Sequence, residues 1–510
     1  MHAVAPVPPP GWLDRDRPWS LALALVVNGA VIAWISVAVL GGFPVSADEY
    51  GYLHLAERFA EGRLHLESLE PRASFATMHF VNDGRYYAKY PPGWPAVLAV
   101  GAWCGIPLAV NPLVGLASLV VLWHLARRLV GIRGAHLAVL LSLGCPFFAF
   151  AGASLFSHAT SLLAALVLAD ALDRLRLGRR GAGATLGLAA GLAFATRPYT
   201  AVALAAIPAS ALFARDLVRR DGRALAAWAR GLPAMIVLGG AFLAYNAAQT
   251  GDPLRLPFQV YDPTEGLDAK LLDSTTAHAA WNERVARRVV SLARWTGGLP
   301  ILALVGWAVW ARERRRWLLV AIALPPIALV LGYAFYASSG GFQYGPRYIY
   351  EGYAFLAIAG GAALARLRRV GVVVLALVVG ANAVQLARAA AFYRTQAAER
   401  AAFFREVRSP VYDGRLILLR TGVGSMPMVD MVRNDPHQPR AALIALDLGR
   451  EANRELLARH SDRSPFVYEF EPATRTGSFR PYDLTEPPAV RLERQARYRI
   501  DFWREPRNLE

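Results

Sequence analysis

Long apolar runs separated by short charged gaps dominate the chain. From Ser20 to Leu40 no residue carries a charge, and a helix of about 20 such residues spans the hydrocarbon layer of a bilayer. Similar runs recur near 134–152, 155–172, 183–197, 199–214, 231–248, 299–311, 317–336, 353–366 and 370–390. The stretch 94–129 has room for two helices but is interrupted near Pro107, Asn111 and Pro112. Its two flanks have opposite charge character, so it needs an odd number of crossings: one kinked crossing, or a re-entrant helix followed by a full one. Irregular backbone is tolerated at membrane depth only where protein or a cavity shields it. From a cytoplasmic start the pattern predicts an all-α polytopic membrane protein of about eleven crossings.

The gaps set the orientation. "ARRLVGIR", "DRLRLGRR", "RDLVRRDGR", "RERRRW" and "RLRR" are arginine clusters between apolar runs, the pattern of cytoplasmic loops. The alternate gaps then face outside. Residues 41–92 form a first outer loop, acidic on balance: Asp48, Glu49, Glu57, Glu61, Glu67, Glu70 and Asp83 against Arg58, Arg63, Arg72, Arg85 and Lys89. A second large outer loop covers 249–298. It opens with turn formers and continues as "AWNERVARRVVSLARW", whose apolar positions recur at helical spacing, as in a helix lying on a membrane surface.

The two ends differ from the body. Residues 1–19, with "APVPPP", read as a disordered cytoplasmic leader, and 20–390 as the membrane domain. In 391–510, "RLILLR", "AALIALD" and "PFVYEF" read as buried strands, with "REANRELLARH" as a helix before the last of them. This predicts a small extra-cytoplasmic α/β domain. No internal repeat is visible, which disfavours transporter folds built from inverted repeats.

Charge and composition narrow the class. The net charge is +17, and 55% of residues are hydrophobic, more than soluble domains carry. Confinement of the basic charge to the gaps excludes nucleic acid as the partner and favours membrane lipids. Lys89 and Lys270 are the only lysines, an arginine bias that fits a GC-rich bacterial genome. Cys104 and Cys145 lie in apolar runs and imply neither a disulfide framework nor a zinc site. "VSA" before Asp48 resembles a cleavage site. The run from Ser20 to Leu40 nevertheless exceeds the core of a signal peptide and reads as a retained helix.

The candidate chemistry begins at "SADE". Ser46 with Glu49 three residues on fits a capping box, and Asp48 in the first turn suits the helix dipole. That local explanation is sufficient for Glu49. The position of Asp48, at the foot of a span on the acidic face, also places a carboxylate where water and lipid headgroups meet. No Ser-His-Asp arrangement, HExxH or Walker loop competes with it. His54, His65, His79 and His158 are scattered and read as locally bonded histidines. Two outer stretches combine cations and aromatics: "NDGRYYAKYPPGWP", with Arg85, Lys89 and Tyr90, and "GGFQYGPRYIYEGY", with Tyr344 and Arg347. They read either as an interfacial aromatic belt with snorkelling cations or as a phosphate site, since Arg grips phosphate by its planar fork and Lys as a point charge. Arg197, in "ATRPYT", stands at another outer end.

With these motifs the sequence resembles the GT-C superfamily of integral-membrane glycosyltransferases, among them the protein O-mannosyltransferases and lipid A aminoarabinose transferases. The likeness rests on "ADEYGYLHLAERFAEG" after the first span, "NDGRYYAKYPPGWP", the loop 249–298 and "GPRYIYEGYAFLAIAG", and covers about 20–390. It implies transfer of a sugar from a polyprenyl-phosphate carrier to a hydroxyl of a glycan, lipid or protein on the outer face of a bacterial inner membrane. The implied catalytic base, acting with inversion, is Asp48; Glu49 caps the helix and stands beside it at the catalytic position. The leaving lipid phosphate needs cations rather than a strong acid. Lys89, Arg347, Arg85 and Arg197 are the candidates, with Tyr90 and Tyr344 as hydrogen-bonding neighbours. The sequence departs from the aminoarabinose transferases in showing no distinct metal cluster, so neither a divalent metal nor another cofactor is expected. Nucleotide sugars are disfavoured, because no nucleotide-binding fingerprint is present. The alternatives are a transporter or flippase of lipid-linked sugars, for which mid-span charges look scarce, a polysaccharide polymerase or ligase, and a membrane scaffold.

Overall fold

A computed structural model describes residues 17–263, 275–336, 343–420, 428–434, 440–471 and 476–483, with Leu13 and Thr474. Most of the expected leader, residues 264–274 of the second loop, the glycine-rich break at 338–342 and the last 27 residues lie outside the described residues. Among the described residues six helices are long and apolar enough to cross a membrane: Trp19–Val39, Pro107–Leu140, Pro198–Val218, Gly222–Thr250, Arg316–Ala334 and Arg368–Val407. Two bent pairs raise the number to eight. Pro146–Ala153 meets His158–Arg176 at 112°, and Ala280–Trp295 meets Leu299–Arg312 at 100°. Gly93–Trp103, Ala182–Thr196 and Gly352–Arg366 are shorter apolar helices.

About eleven crossings were expected, a count that helix length and composition among the described residues do not confirm. Hydropathy registers apolar length but not bends. The run 134–152 is split: one helix ends at Leu140 and the next begins at Pro146 and ends at Ala153. Eight residues at 1.5 Å each rise only about 12 Å, too little to cross. The 94–129 region is likewise a short helix, Gly93–Trp103, and then Pro107–Leu140, which is itself kinked at Gly131 (φ 81°, ψ 173°). The last membrane run does not stop at 390 either; its helix continues to Val407.

The outward faces of these helices are apolar, with Val26, Ile236, Val237 and Leu377 each about 70% exposed, as a lipid-facing surface requires. Inside, polar side chains bond between helices: Asn28 Nδ2 donates to Ser142 Oγ at 2.9 Å, and Ser20 Oγ lies 2.6 Å from His136 Nδ1. Such bonds, with close packing, hold helices together where lipid removes the hydrophobic drive.

The two ends of the bundle differ chemically. Asn111 donates to the carbonyls of Ser154 and Phe156, which belong to the turn beside Glu49. Arg128, 17 residues along the same helix and so about 25 Å away, pairs with Asp170 and Asp173. This arginine-rich junction thus lies far from the acidic pair.

Two small sheets stand on the acidic-pair end. The first outer loop folds as the helix Ala47–Ala60 and a three-stranded antiparallel sheet, in which Arg85–Ala88 lies between Leu66–Glu67 and Phe80–Asn82. In the C-terminal part, Arg415–Arg420 pairs in parallel with Leu443–Leu446 and Ser464–Glu471, and Thr476–Pro481 adds an antiparallel edge. The helix Arg450–Arg459 connects two of these strands. Phe75 of the first outer loop is buried in the core of this sheet.

Candidate active site

The acid-bearing helix starts where its local sequence dictates. Ser46 Oγ accepts from the Glu49 backbone N–H at 3.2 Å, and Glu49 Oε2 accepts from the Ser46 N–H at 3.0 Å. This reciprocal cap leaves Asp48 in the first turn. Glu49 has further partners: Oε2 also accepts from Ser46 Oγ, Oε1 accepts from the Leu155 N–H at 3.1 Å, and Tyr344 Oη stands 3.5 Å from Oε2. Burial pushes its carboxyl up, against these hydrogen bonds. Expected beside Asp48 at the catalytic position, Glu49 is committed on both oxygens to holding the helix start against the Leu155 turn.

Asp48 is buried but differently surrounded. Oδ1 accepts from Tyr90 Oη at 2.9 Å; Oδ2 lies 3.3 Å from Arg347 Nη2 and 3.7 Å from His79 Nε2. Burial alone would raise its carboxyl. The charges of Arg347, His79 and Lys89, with the Tyr90 hydrogen bond, win and lower it to about 2. The group is a carboxylate throughout the physiological range.

Each neighbour is held in turn. The Tyr90 ring lies 4.1 Å, centroid to centroid, from Tyr52, whose hydroxyl is 3.2 Å from Ser157 Oγ. Gly51 allows this approach: a Cβ there would stand 2.6 Å from Tyr90 Cε2. The Arg347 guanidinium lies 4.3 Å from the centre of the Phe156 ring. Its turn is set by Tyr344 (φ 60°) and Gly345 (φ 94°). The left-handed Tyr344 backbone is held by its N–H bond to Tyr393 Oη at 2.9 Å and by stacking on Phe150. Lys89 Nζ is 4.7 Å from the Tyr261 ring, which also packs on His79.

The remaining expected residues divide. Arg197 forms a neighbouring buried cluster: it donates to Tyr333 Oη and Thr200 Oγ1 at 3.1 Å and to His158 Nε2, and its Nε is 3.5 Å from Glu351 Oε1. The Tyr348 ring links the clusters, with the guanidinium carbons of Arg197 and Arg347 both 5.8 Å from its centre. Arg85 points elsewhere, donating to the Ala248 carbonyl in the last turn of another helix. Sequence reasoning missed His79, Tyr52 and Tyr261. His79 read as a scattered histidine, and no spacing rule tied it to a residue 31 positions earlier. Among the described residues no group of three or more His, Cys, Asp or Glu side chains is placed to hold a metal ion.

The arrangement is a buried carboxylate facing arginine, lysine and histidine, on the end of an apolar helix bundle. No protein-family model and no curated protein matches the sequence. Solved structures do. ArnT from Cupriavidus metallidurans bound to undecaprenyl phosphate matches with a TM-score of 0.55 at 15% identity, over 89% of this chain and 93% of that one. The apo form of ArnT matches with a TM-score of 0.53 at 14% identity, over the same shares. The Archaeoglobus fulgidus oligosaccharyltransferase matches at 0.48 and 13%, over 90% of this chain and 70% of that one. The chain has a GT-C fold, as the first outer loop and the late "GPRY" turn led us to expect.

Proposed function

We propose that this chain is a membrane glycosyltransferase that moves a sugar from a polyprenyl-phosphate carrier to an acceptor hydroxyl, inverting the anomeric centre, with Asp48 as base. The observation that carries the reading is the pairing of a buried carboxylate with the cations Arg347 and Lys89, with His79 beside them. A fold shared with a protein crystallised on undecaprenyl phosphate supports it. With the arginine-rich end in the cytoplasm, the site faces outward, where lipid-linked rather than nucleotide-linked sugars are the donors.

The acceptor oxygen attacks the anomeric carbon as the carbon–phosphate oxygen bond breaks, and its proton passes to Asp48. The lipid phosphate gains a negative charge on leaving. Preorganised cations aimed at that charge lower the barrier, so Lys89 and Arg347 do the work of a general acid. A carboxylate of low basicity suffices, because the attacking hydroxyl becomes acidic only as its new bond forms. A bound phosphate also offsets the field of Arg347 and Lys89, and the basicity of Asp48 rises when the donor is seated. Arg197 and Glu351 support the turn bearing Arg347 from behind Tyr348. Membrane lipids are the surrounding solvent, and no metal or other cofactor takes part in this reading.

The test is to incubate purified protein with tritiated sugars on undecaprenyl phosphate together with membrane extract, and to identify which molecule gains label. Label that stays on the carrier but crosses a vesicle membrane would instead identify a flippase.

A further inference from the structure

We propose that Arg433 is a positioning residue for Asp48, which makes the C-terminal segment 428–434 a support of the active site; this rests on the role given to Asp48 above. Arg433 lies in the segment 428–434, between the outer extension of the Arg368–Val407 helix and the first outer loop. It is 7% exposed. Its Nη1 donates to the Pro44 carbonyl at 2.6 Å and its Nε to the Asp430 carbonyl at 2.8 Å. The guanidinium sits between two rings, 4.8 Å from the centres of Tyr50 and Phe404.

Pro44 precedes the helix cap Ser46 by two residues, and Tyr50 follows Asp48 by two. One side chain from the far end of the sequence therefore grips the acid-bearing turn on both sides. The turn needs such a grip. Its approach, "GGFPV", begins with Gly41 and Gly42 in the left-handed region, φ 74° and 69°, and glycine pairs leave a chain direction poorly fixed. The Ser46–Glu49 cap closes the first helical turn but does not aim the helix.

The chemistry of Arg433 argues the same way. Among the described residues it makes no carboxylate salt bridge, and its Nη2 is buried without a hydrogen-bond partner. Burying a cation on such terms is costly, and an apolar side chain would fill the gap between two rings more cheaply. What an apolar residue cannot supply is a pair of donors in a rigid fork, one for each carbonyl. The segment is itself anchored: Arg400 bonds Asp430 at 2.7 Å, and Thr77 Oγ1 donates to the Val432 carbonyl at 3.0 Å.

The experiment uses the full-length protein with Arg433→Met, which keeps the bulk, and Arg433→Lys, which keeps one donor group. Hydrogen exchange is followed in peptides covering 41–54, together with undecaprenyl phosphate binding and the steady-state kinetics of label transfer. For Arg433→Met, exchange at 44–52 accelerates at least about tenfold while the helix bundle is unchanged. Its kcat falls about tenfold to a hundredfold, the cost of misplacing a catalytic group by an ångström or less. KM for the donor and undecaprenyl phosphate binding stay within about twofold, and Arg433→Lys recovers part of kcat. Normal kcat with unchanged exchange overturns the proposal, as does parallel loss of carrier binding with faster exchange across the bundle, which marks general unfolding. If the unaltered protein transfers no label from any donor, the glycosyltransferase reading fails, and exchange at 44–52 still decides whether Arg433 holds the turn.

Discussion

Arg347 Nη2 stands 3.3 Å from Asp48 Oδ2, joining residues 299 positions apart. The pair is buried, and desolvation of the acid is outweighed only by Arg347, His79, Lys89 and the Tyr90 hydrogen bond acting together. In the proposed reaction a lipid phosphate arriving at this place would compete with Asp48 for Arg347. On the proposed function the pair is the resting form of a site whose cation is shared between base and donor.

Removing a cation tests that sharing. Asp48 is held near 2, below its ordinary 3.8, so kcat/KM of the unaltered protein shows no acid limb from this group between pH 5 and 8. Arg347→Met destabilises the carboxylate form and shifts the acid limb upward, by about one to three units for a close pair, and Lys89→Met shifts it the same way by less. Both also weaken donor binding. The pH dependence of kcat/KM in the three proteins checks the direction; a downward shift contradicts it.

Gly51 separates helix propensity from packing. Alanine is favoured over glycine inside a helix by up to about 1 kcal/mol. Here its Cβ would meet Tyr90 at 2.6 Å, and overpacking costs about 1–3 kcal/mol. Gly51→Ala therefore lowers the thermal midpoint and, by displacing the Tyr90 hydroxyl from Asp48, lowers kcat. A stabilised variant would mean that Tyr90 yields freely.

Glu49 and Asp48 are to be told apart by what each loses. Glu49→Gln turns an acceptor into a donor facing the Ser46 or Leu155 N–H, leaving a buried mismatch of about 1–3 kcal/mol. Stability and yield fall, while the surviving folded protein retains more transfer activity than any Asp48 variant. Denaturation midpoints beside specific activity decide this.

Arg85→Ala is the control for the cation wall. Its guanidinium bonds a helix-terminal carbonyl, so the change costs about 0.5–1.5 kcal/mol of stability. Undecaprenyl phosphate binding stays at the unaltered level, unlike that of Lys89→Met.

How far the sequence reveals this site follows from the range of each interaction. The Ser46–Glu49 cap acts over three residues, so its motif is readable in place, and the amphipathic stretch after it is the expected helix. Lys89, Tyr90 and Arg347 stand out because cations beside aromatics are conspicuous at the ends of apolar runs. Nothing local separates Lys89 from Arg85, four residues apart, yet one faces Asp48 and Tyr261 and the other a helix end. His79 enters through the reversal of a short sheet, and Arg433 through docking of a distant segment. Both depend on tertiary structure that no periodicity encodes. The count of about eleven crossings is not confirmed, for a related reason. Apolar length near Cys145 and Pro146 is real, but a break with Gly144 in the left-handed region and Pro146 opening the next helix divides it.

The most direct measurement is label transfer by Asp48→Asn, an isosteric change that removes the proton acceptor. The account predicts a fall in kcat of about 10²–10⁴-fold, the usual contribution of a general base, with protein yield and undecaprenyl phosphate binding retained. Turnover at the unaltered rate would contradict it and leave Asp48 as an acidic first-turn residue of a well-capped helix.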